Sequence, residues 1–252
     1  MIKKFNDPAF MYMFEDKATF AEHFSKYFKR DWISSESLSY EQFLNFINNK
    51  SRFIMKPVGS SQGQGIAVFD DLTDSKEIYD FVTKEPCILE EWIDQHPVLS
   101  AVYADAINCL RIITVFHNGE TAFLTGGVTW GNGKKIANAS ASGIVSPVDF
   151  ETGKLLLPAA DFDGHSYEKH PITGANLVGL QLPFWKETLE MLKSACSVVP
   201  QEGYIGWDIA ITPDGPVLIE GNTSPGYRYY QIPVHMINKT GKKPFYDPYL
   251  KK

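Results

Sequence analysis

Residues 204–222, YIGWDIAIT-PDG-PVLIEGN, constrain this chain more than any other stretch. Two apolar segments of strand length flank Thr212-Pro213-Asp214-Gly215-Pro216. Pro presets the first corner of a turn, and Gly supplies a left-handed backbone. The pattern predicts an antiparallel hairpin closed by a three-residue loop, a type I turn followed by a Gly bulge. Thr212 then pairs with Pro216, and counting back sets Asp208 opposite Glu220. Opposed residues share a face, and strand alternation adds Asn222 to it. A two-residue loop would slip the register by one and break that face.

Two carboxylates at close range repel unless a cation lies between them. Oxygen donors without His or Cys suit Mg²⁺ or Mn²⁺, with phosphate oxygens completing the shell. The alternative is a polar, solvated strand end. The flanking runs WDIAI and VLI favour buried strands, where solvated acids fit poorly.

Upstream, residues 16–30 carry Phe20, Phe24, Tyr27 and Phe28 at helical spacing, and 39–49 read as a second helix with Ser39 and Gln42 as a capping pair. Strands are expected at 52–58, 66–70 and 87–93, and a helix at 74–84. A hairpin is expected over 109–130, turning at Asn118-Gly119, and an amphipathic helix over 183–199. Residues 131–165 read as loops with short strands, and the ending KKPFYDPYLKK as a solvated tail. This is a mixed α+β order, without the regular strand–helix alternation of a doubly wound parallel sheet.

The net charge of −6 argues against a broad nucleic-acid-binding surface. Three cysteines, with no C-x-x-C pair, suggest neither a disulfide framework nor a zinc knuckle. With no apolar run long enough for a signal peptide or a membrane span, a reducing, cytoplasmic location is the simplest expectation.

Lys56 ends the strand RFIMK, and the Gly/Ser-rich loop GSSQGQG follows it. Such a loop lets backbone N–H groups approach phosphate, and the lysine adds a point charge. It is neither a P-loop nor a dinucleotide fingerprint, because it joins two strands. A hinged flap over a nucleotide and a plain hairpin tip both remain open. LEEWI, 89–93, is either a strand end that pairs with an adenine edge or an ordinary terminus. Arg111, between Leu and Ile in CLRIIT, is placed to meet a phosphate or carboxylate. The run NASASG, 138–143, offers donors to an acceptor or is a plain loop. His165 and His170 lie in a loop, and His170, just before Pro171, reads as structural. Tyr227, Arg228, Tyr229 and Tyr230 suit a sugar or acidic substrate, or simply a packed segment.

Taken in order, Lys56, the glycine loop, LEEWI, NCLRIIT, HPITG, GWDIAIT and GPVLIEGN resemble the ATP-grasp superfamily. Within it, they are most similar to the sugar-transfer-associated branch. The resemblance covers roughly residues 16 to 233. It implies an α+β ATP-grasp fold of two lobes with nucleotide between them, the N-terminal pre-ATP-grasp domain being largely absent. The division it suggests is a helical segment 1–50, a glycine-flap lobe 51–93, and a metal- and substrate-binding lobe 94–252.

The resemblance also assigns roles. Asp208, Glu220 and Asn222 correspond to metal ligands, and Lys17 and Lys56 to phosphate lysines. Ser60, Ser61 and Gly63 lie in the flap; Glu90, Glu91, Trp92 and Ile93 form the adenine hinge. Arg111 and Asn138, with Lys56, stand near the transferred phosphoryl group and the acceptor. Asp94 and His96 are alternatives for the ribose contact, and Cys109 stands where the branch has Thr.

ATP and Mg²⁺ (or Mn²⁺) are the implied cofactors. The implied reaction joins a small-molecule carboxylate, sugar-linked in view of the branch, to an amine through an acyl phosphate. Bacterial surface polysaccharide is the implied setting. Only residues 1–15 precede Asp16, so a partner or second copy would complete the short N-terminus. A small-molecule kinase and a non-catalytic nucleotide-binding module are the alternatives.

Overall fold

The computed structural model describes residues 1–59, 64–134, 143–226, 231–236 and 240–250 of the 252. Ser60, Ser61, Gly63, Asn138, Tyr227, Arg228, Tyr229 and Tyr230 lie outside the described residues.

Strands β1 (Trp32–Ser34), β2 (Phe53–Pro57), β3 (Ala67–Phe69) and β4 (Cys87–Glu91) form an antiparallel sheet in the order β1-β4-β2-β3. A larger antiparallel sheet contains β5 (Cys109–His117), β6 (Glu120–Trp130), β7 (Ile144–Pro147), β8 (Ala159–Ala160), β9 (Ser166–Tyr167), β10 (Tyr204–Thr212) and β11 (Gly215–Asn222). Its order is β11-β10-β5-β6-β7-β8-β9. The β5–β6 hairpin turns at Asn118 and Gly119, as expected, with φ of 53° and 81°. Positive φ at both corners matches the twist of the strands they join.

Four short helices open the chain: α1 (Ile2–Phe5), α2 (Tyr12–Glu15), α3 (Lys17–His23) and α4 (Ser25–Phe28). The single helix expected over 16–30 is broken at Phe24, which is non-helical at φ −101°, ψ 19°, and ends at Lys29 with φ 51°. Next come α5 (Tyr40–Ile47) and α6 (Ser75–Val82). The capping pair of α5 is present: the Gln42 N–H donates to Ser39 Oγ, and the Ser39 N–H to Gln42 Oε1. The remaining helices are α7 (Pro97–Ser100), α8 (Trp185–Ala195) and α9 (Lys243–Leu250). The supposed solvated tail is thus a helix docked on the body. Tyr246 meets Tyr204 at 6.4 Å, and Tyr249 meets Phe5 at 6.3 Å. No helix among the described residues is long and apolar enough to cross a membrane.

Strand alternation decides what each face of the small sheet carries. Phe53, Met55, Cys87 and Leu89 pack under Phe43 and Phe46 of α5 and Ile78 and Val82 of α6. Lys56, Ile88 and Glu90 therefore face away from those helices. Ile88 and Trp32 join the core of the larger sheet, where Phe14 and Phe24 meet the Trp207 ring edge-on and Leu192 and Ala195 of α8 also pack. Residues 1–50 are consequently shared between both cores: Phe14 to Phe28 serve the large sheet, and Leu38 to Phe46 the small one.

Candidate active site

The hairpin turn departs from the sequence expectation. Thr212 pairs with Gly215, so the connection is the two residues Pro213 and Asp214. That loop should have spoiled the acidic face, yet Asp208 does pair with Glu220. A bulge repairs the register: Ile209 opposes Leu218, Asp208 opposes Glu220, and Ile219 is the extra residue. Its effect is large, because Leu218 faces the core and strict alternation would bury Glu220 beside it. The bulge turns Glu220 to the opposite face.

That face carries a row across three strands. Arg111 of β5 is in register with Asp208, which is in register with Glu220. Arg111 Nε donates to Asp208 Oδ1 at 2.5 Å, and Nη2 donates to Oδ2. Asn222, two pairs further along opposite Gly206, donates to the Gly206 carbonyl at 3.3 Å and to Glu220 Oε1 at 3.4 Å. Burial raises the pKa of Glu220, and the charge of Asp208 raises it further, against Lys56 and Arg111. An acid pressed upward by burial and by a neighbouring acid is placed for a cation. The donor set is two carboxylates and an amide oxygen. No group of three or more His, Cys, Asp or Glu suited to a metal occurs among the described residues. By donor type alone, the two carboxylates and the amide oxygen suit Mg²⁺ or Mn²⁺, hard ions that take their remaining ligands from phosphate and water.

The cationic side comes from the other sheet and from α3. Lys56 is buried, with Nζ 2.7 Å from the Glu90 carboxylate. Lys17, in the first turn of α3, donates to the Pro57 carbonyl at 3.1 Å. Burial lowers its pKa, and the charges of Glu220, Lys56 and Glu90 all act on it. These four groups thus share one electrostatic neighbourhood. Of the glycine loop, Ser60, Ser61 and Gly63 lie outside the described residues, while its first and last glycines, Gly59 and Gly65, take φ of 74° and 70°.

Along residues 90–92, the side chains are committed to protein contacts. Glu90 is 2% exposed and points at Lys56 and Arg30. Glu91 accepts from the Asp31 amide at 3.1 Å, and its own amide donates to the Asp31 carbonyl at 2.8 Å. Trp92 lies under the Arg52 guanidinium at 4.4 Å, and Ile93 is half-buried. What this segment can offer a flat base is its backbone and its apolar flank. Asp94 is exposed and paired with Arg52, whereas His96 caps α7 and meets the Phe184 ring.

Arg30 escaped the sequence reading altogether. Its guanidinium is held by Glu90, Phe28 and Leu218, partners as far as 188 residues away. The only local signal is an arginine directly after an aromatic-rich helix. The sequence alone points to no role for Asn108. It is 1% exposed and joins Gln95, Leu99 and Tyr103 to the Gly131 amide, anchoring the start of β5. His170 is structural: its Nε2 lies 2.7 Å from the Gly131 carbonyl, and its ring stacks on Tyr103. Burial pushes the Cys109 thiol well up, which disfavours it as a nucleophile.

Three solved structures share this fold at low sequence identity. The complex of N5-carboxyaminoimidazole ribonucleotide synthetase with ADP superposes with a TM-score of 0.54 at 13% identity, over 85% of this chain and 46% of that one. The carboxyaminoimidazole ribonucleotide synthase of Aspergillus clavatus, complexed with ATP, gives 0.55 at 12%, over 86% and 46%. The ATP-grasp ligase PsnB, complexed with a minimal precursor, Mg and ADP, gives 0.57 at 12%, over 97% and 60%. The chain thus spans about half the length of the synthetases it matches. At these identities the likeness shows the fold alone. No protein of curated function matches the sequence. The model of the sugar-transfer associated ATP-grasp family matches residues 1–241, nearly end to end, and the chain belongs to that family.

Proposed function

We propose that the protein is an ATP-dependent carboxylate–amine ligase. The observation that carries this reading is the meeting of Lys56 and Lys17 with the Arg111–Asp208–Glu220 row, contributed by separate elements of the fold. Asp208, Glu220 and Asn222 would hold Mg²⁺ or Mn²⁺, which when bound neutralises phosphate charge. Lys56 and Lys17 bind the nucleotide phosphates, and the backbone at Glu91 to Ile93 takes the adenine edge. Arg111 has a fork that suits either a carboxylate or a phosphoryl group. It leaves Asp208 to stabilise the transferring γ-phosphoryl.

A substrate carboxylate oxygen attacks the γ-phosphorus, and the bond to ADP breaks. An amine then attacks the acyl carbon, phosphate departs with the C–O bond electrons, and the amine releases a proton. No protein nucleophile is needed, in keeping with the unreactive Cys109. Asn138 is proposed to orient the acceptor, and Ser60, Ser61 and Gly63 to cover the phosphates. The substrate class we propose is a sugar-linked carboxylate, such as a uronic acid of bacterial surface polysaccharide, with an amino acid as the amine. The family's association with sugar transfer supports this choice.

Hydroxylamine trapping tests it. Uronic acids incubated with protein, ATP and Mg²⁺ should give hydroxamate and ADP in equal amounts, and Glu220→Ala should lose at least a hundredfold in rate. A stable phosphorylated product formed without any amine would replace ligase with kinase. Absence of ADP across the panel would count against catalysis.

A further inference from the structure

Arg30 lies where the two halves of the proposed nucleotide site meet, and the following inference rests on that site being real. Its side chain is only 4% exposed. Lys29, left-handed at φ 51°, ends α4 and turns the next residue inward. The guanidinium sits on the Phe28 ring at 3.3 Å. Its donors go to both sheets. Nε and Nη2 reach Glu90 Oε2 at 2.9 and 2.6 Å, while Nη1 reaches the Leu218 carbonyl at 2.7 Å and the Phe28 carbonyl at 3.1 Å.

Each contact leads to a different part of the site. Glu90 is the carboxylate that holds Lys56 at 2.7 Å. Burial works to raise its pKa, but Lys56 and Arg30 together bring it below the usual value, so it stays charged. Two cations share the one anion Glu90, so Glu90 does not fully neutralise Lys56 by itself. A buried cation that is only partly neutralised gains from an added anion, such as a phosphate. Without Arg30, Glu90 would neutralise Lys56 one for one. On the other sheet, Leu218 is the last residue in the original register before the bulge that turns Glu220 outward. A bulge disturbs the ladder locally, and a fixed donor at its carbonyl holds the bent geometry.

We propose that Arg30 is a positioning residue for both halves at once: through Glu90 it sets Lys56 and the charge offered to phosphate, and through Leu218 it sets the bulge on which the acid Glu220 stands. Outer partners of this sort orient the groups that touch the ligand.

ADP is the probe, with its dissociation constant measured calorimetrically in EDTA and again in Mg²⁺. The metal-free value reads the cationic half, and the ratio of the two values reads the acidic half. Lys56→Met should weaken metal-free binding about tenfold and leave the ratio within twofold. Glu220→Ala should do the reverse. Arg30→Met should weaken metal-free binding and also lower the ratio. Arg30→Lys keeps the charge but loses the fork. It should bring metal-free affinity back near wild type while the ratio stays low. A folded Arg30→Met that moves one quantity or neither overturns the proposal. If Arg30→Met does not fold, Arg30→Lys decides, and wild-type values in both quantities overturn it. Wild-type protein that binds no ADP in either condition sinks the nucleotide reading, and this inference with it. Wild-type binding with silent Arg30 variants sinks the inference alone.

Discussion

Glu202 is 2% exposed, and neither carboxylate oxygen has a hydrogen-bond partner among the described residues. Its pKa is pushed up to about 7, first by burial and further by the charges of Asp7 and Glu15. The Asp7 amide, which donates to the Gln201 carbonyl, offsets only part of this. The folded state thus keeps a proton that the unfolded chain releases near pH 4.5. Between those values the folded state binds more protons, so stability falls as pH rises through that window. Glu202→Gln removes the ionised form. Urea denaturation should show the variant close to wild type at pH 4 and more stable at pH 8, by at most about 3 kcal/mol. An advantage independent of pH would show that burial of the charge is not the cause. Buried residues of this kind are hard to read from a sequence: nothing in VVPQEGY separates Glu202 from the exposed acids around it.

The β10–β11 hairpin shows how a pairing can be legible while its cause is not. Asp208 opposite Glu220 follows from a count along the sequence, but the count assumed a loop one residue too long. The missing residue reappears as the bulge at Ile219, a β-branched residue with nothing to mark it. Strand β1 escaped for another reason: it has three residues, Trp32–Ser34, and pairs with β4 more than fifty positions away. Short pairings over long separations leave no local period. The capping pair of α5 and the Asn118-Gly119 turn were legible because they are local. Gly221 belongs to the same hairpin and lies on its core face. A Cβ there would come within 2.6 Å of the Phe14 ring and 3.3 Å of the Phe20 ring. Gly221→Ala should therefore cost about 1–3 kcal/mol by overpacking. It should also weaken the Mg²⁺ enhancement of ADP binding, because β11 must shift between Glu220 and Asn222. A variant that melts like wild type would mean Phe14 moves aside freely.

Across the molecule, the two sheets are held by shared parts. Trp32 and Ile88 of the small sheet enter the large core, and Arg30 bonds to both β4 and β11. Such sharing predicts one cooperative transition in denaturant, with tryptophan fluorescence and far-ultraviolet circular dichroism giving coincident curves. Separate midpoints would show the small sheet melting by itself. Saturating Mg²⁺ and ADP should raise the midpoint of thermal unfolding by several degrees at about a hundred times the dissociation constant, and Glu220→Ala should abolish the metal-dependent part.

The hydrogen bond from Arg30 to the Leu218 carbonyl spans 188 positions of the chain. At ordinary rates of synthesis, that is a delay of roughly 10–40 s on the ribosome between the arginine and its partner. For roughly the last two-thirds of that interval the chain of the first helices and the small sheet has been made, yet the acidic hairpin proposed to grip a metal–nucleotide complex is still incomplete. On the proposed site, metal-dependent binding therefore waits for the last hairpin, and until then the early helices depend on their own aromatic packing.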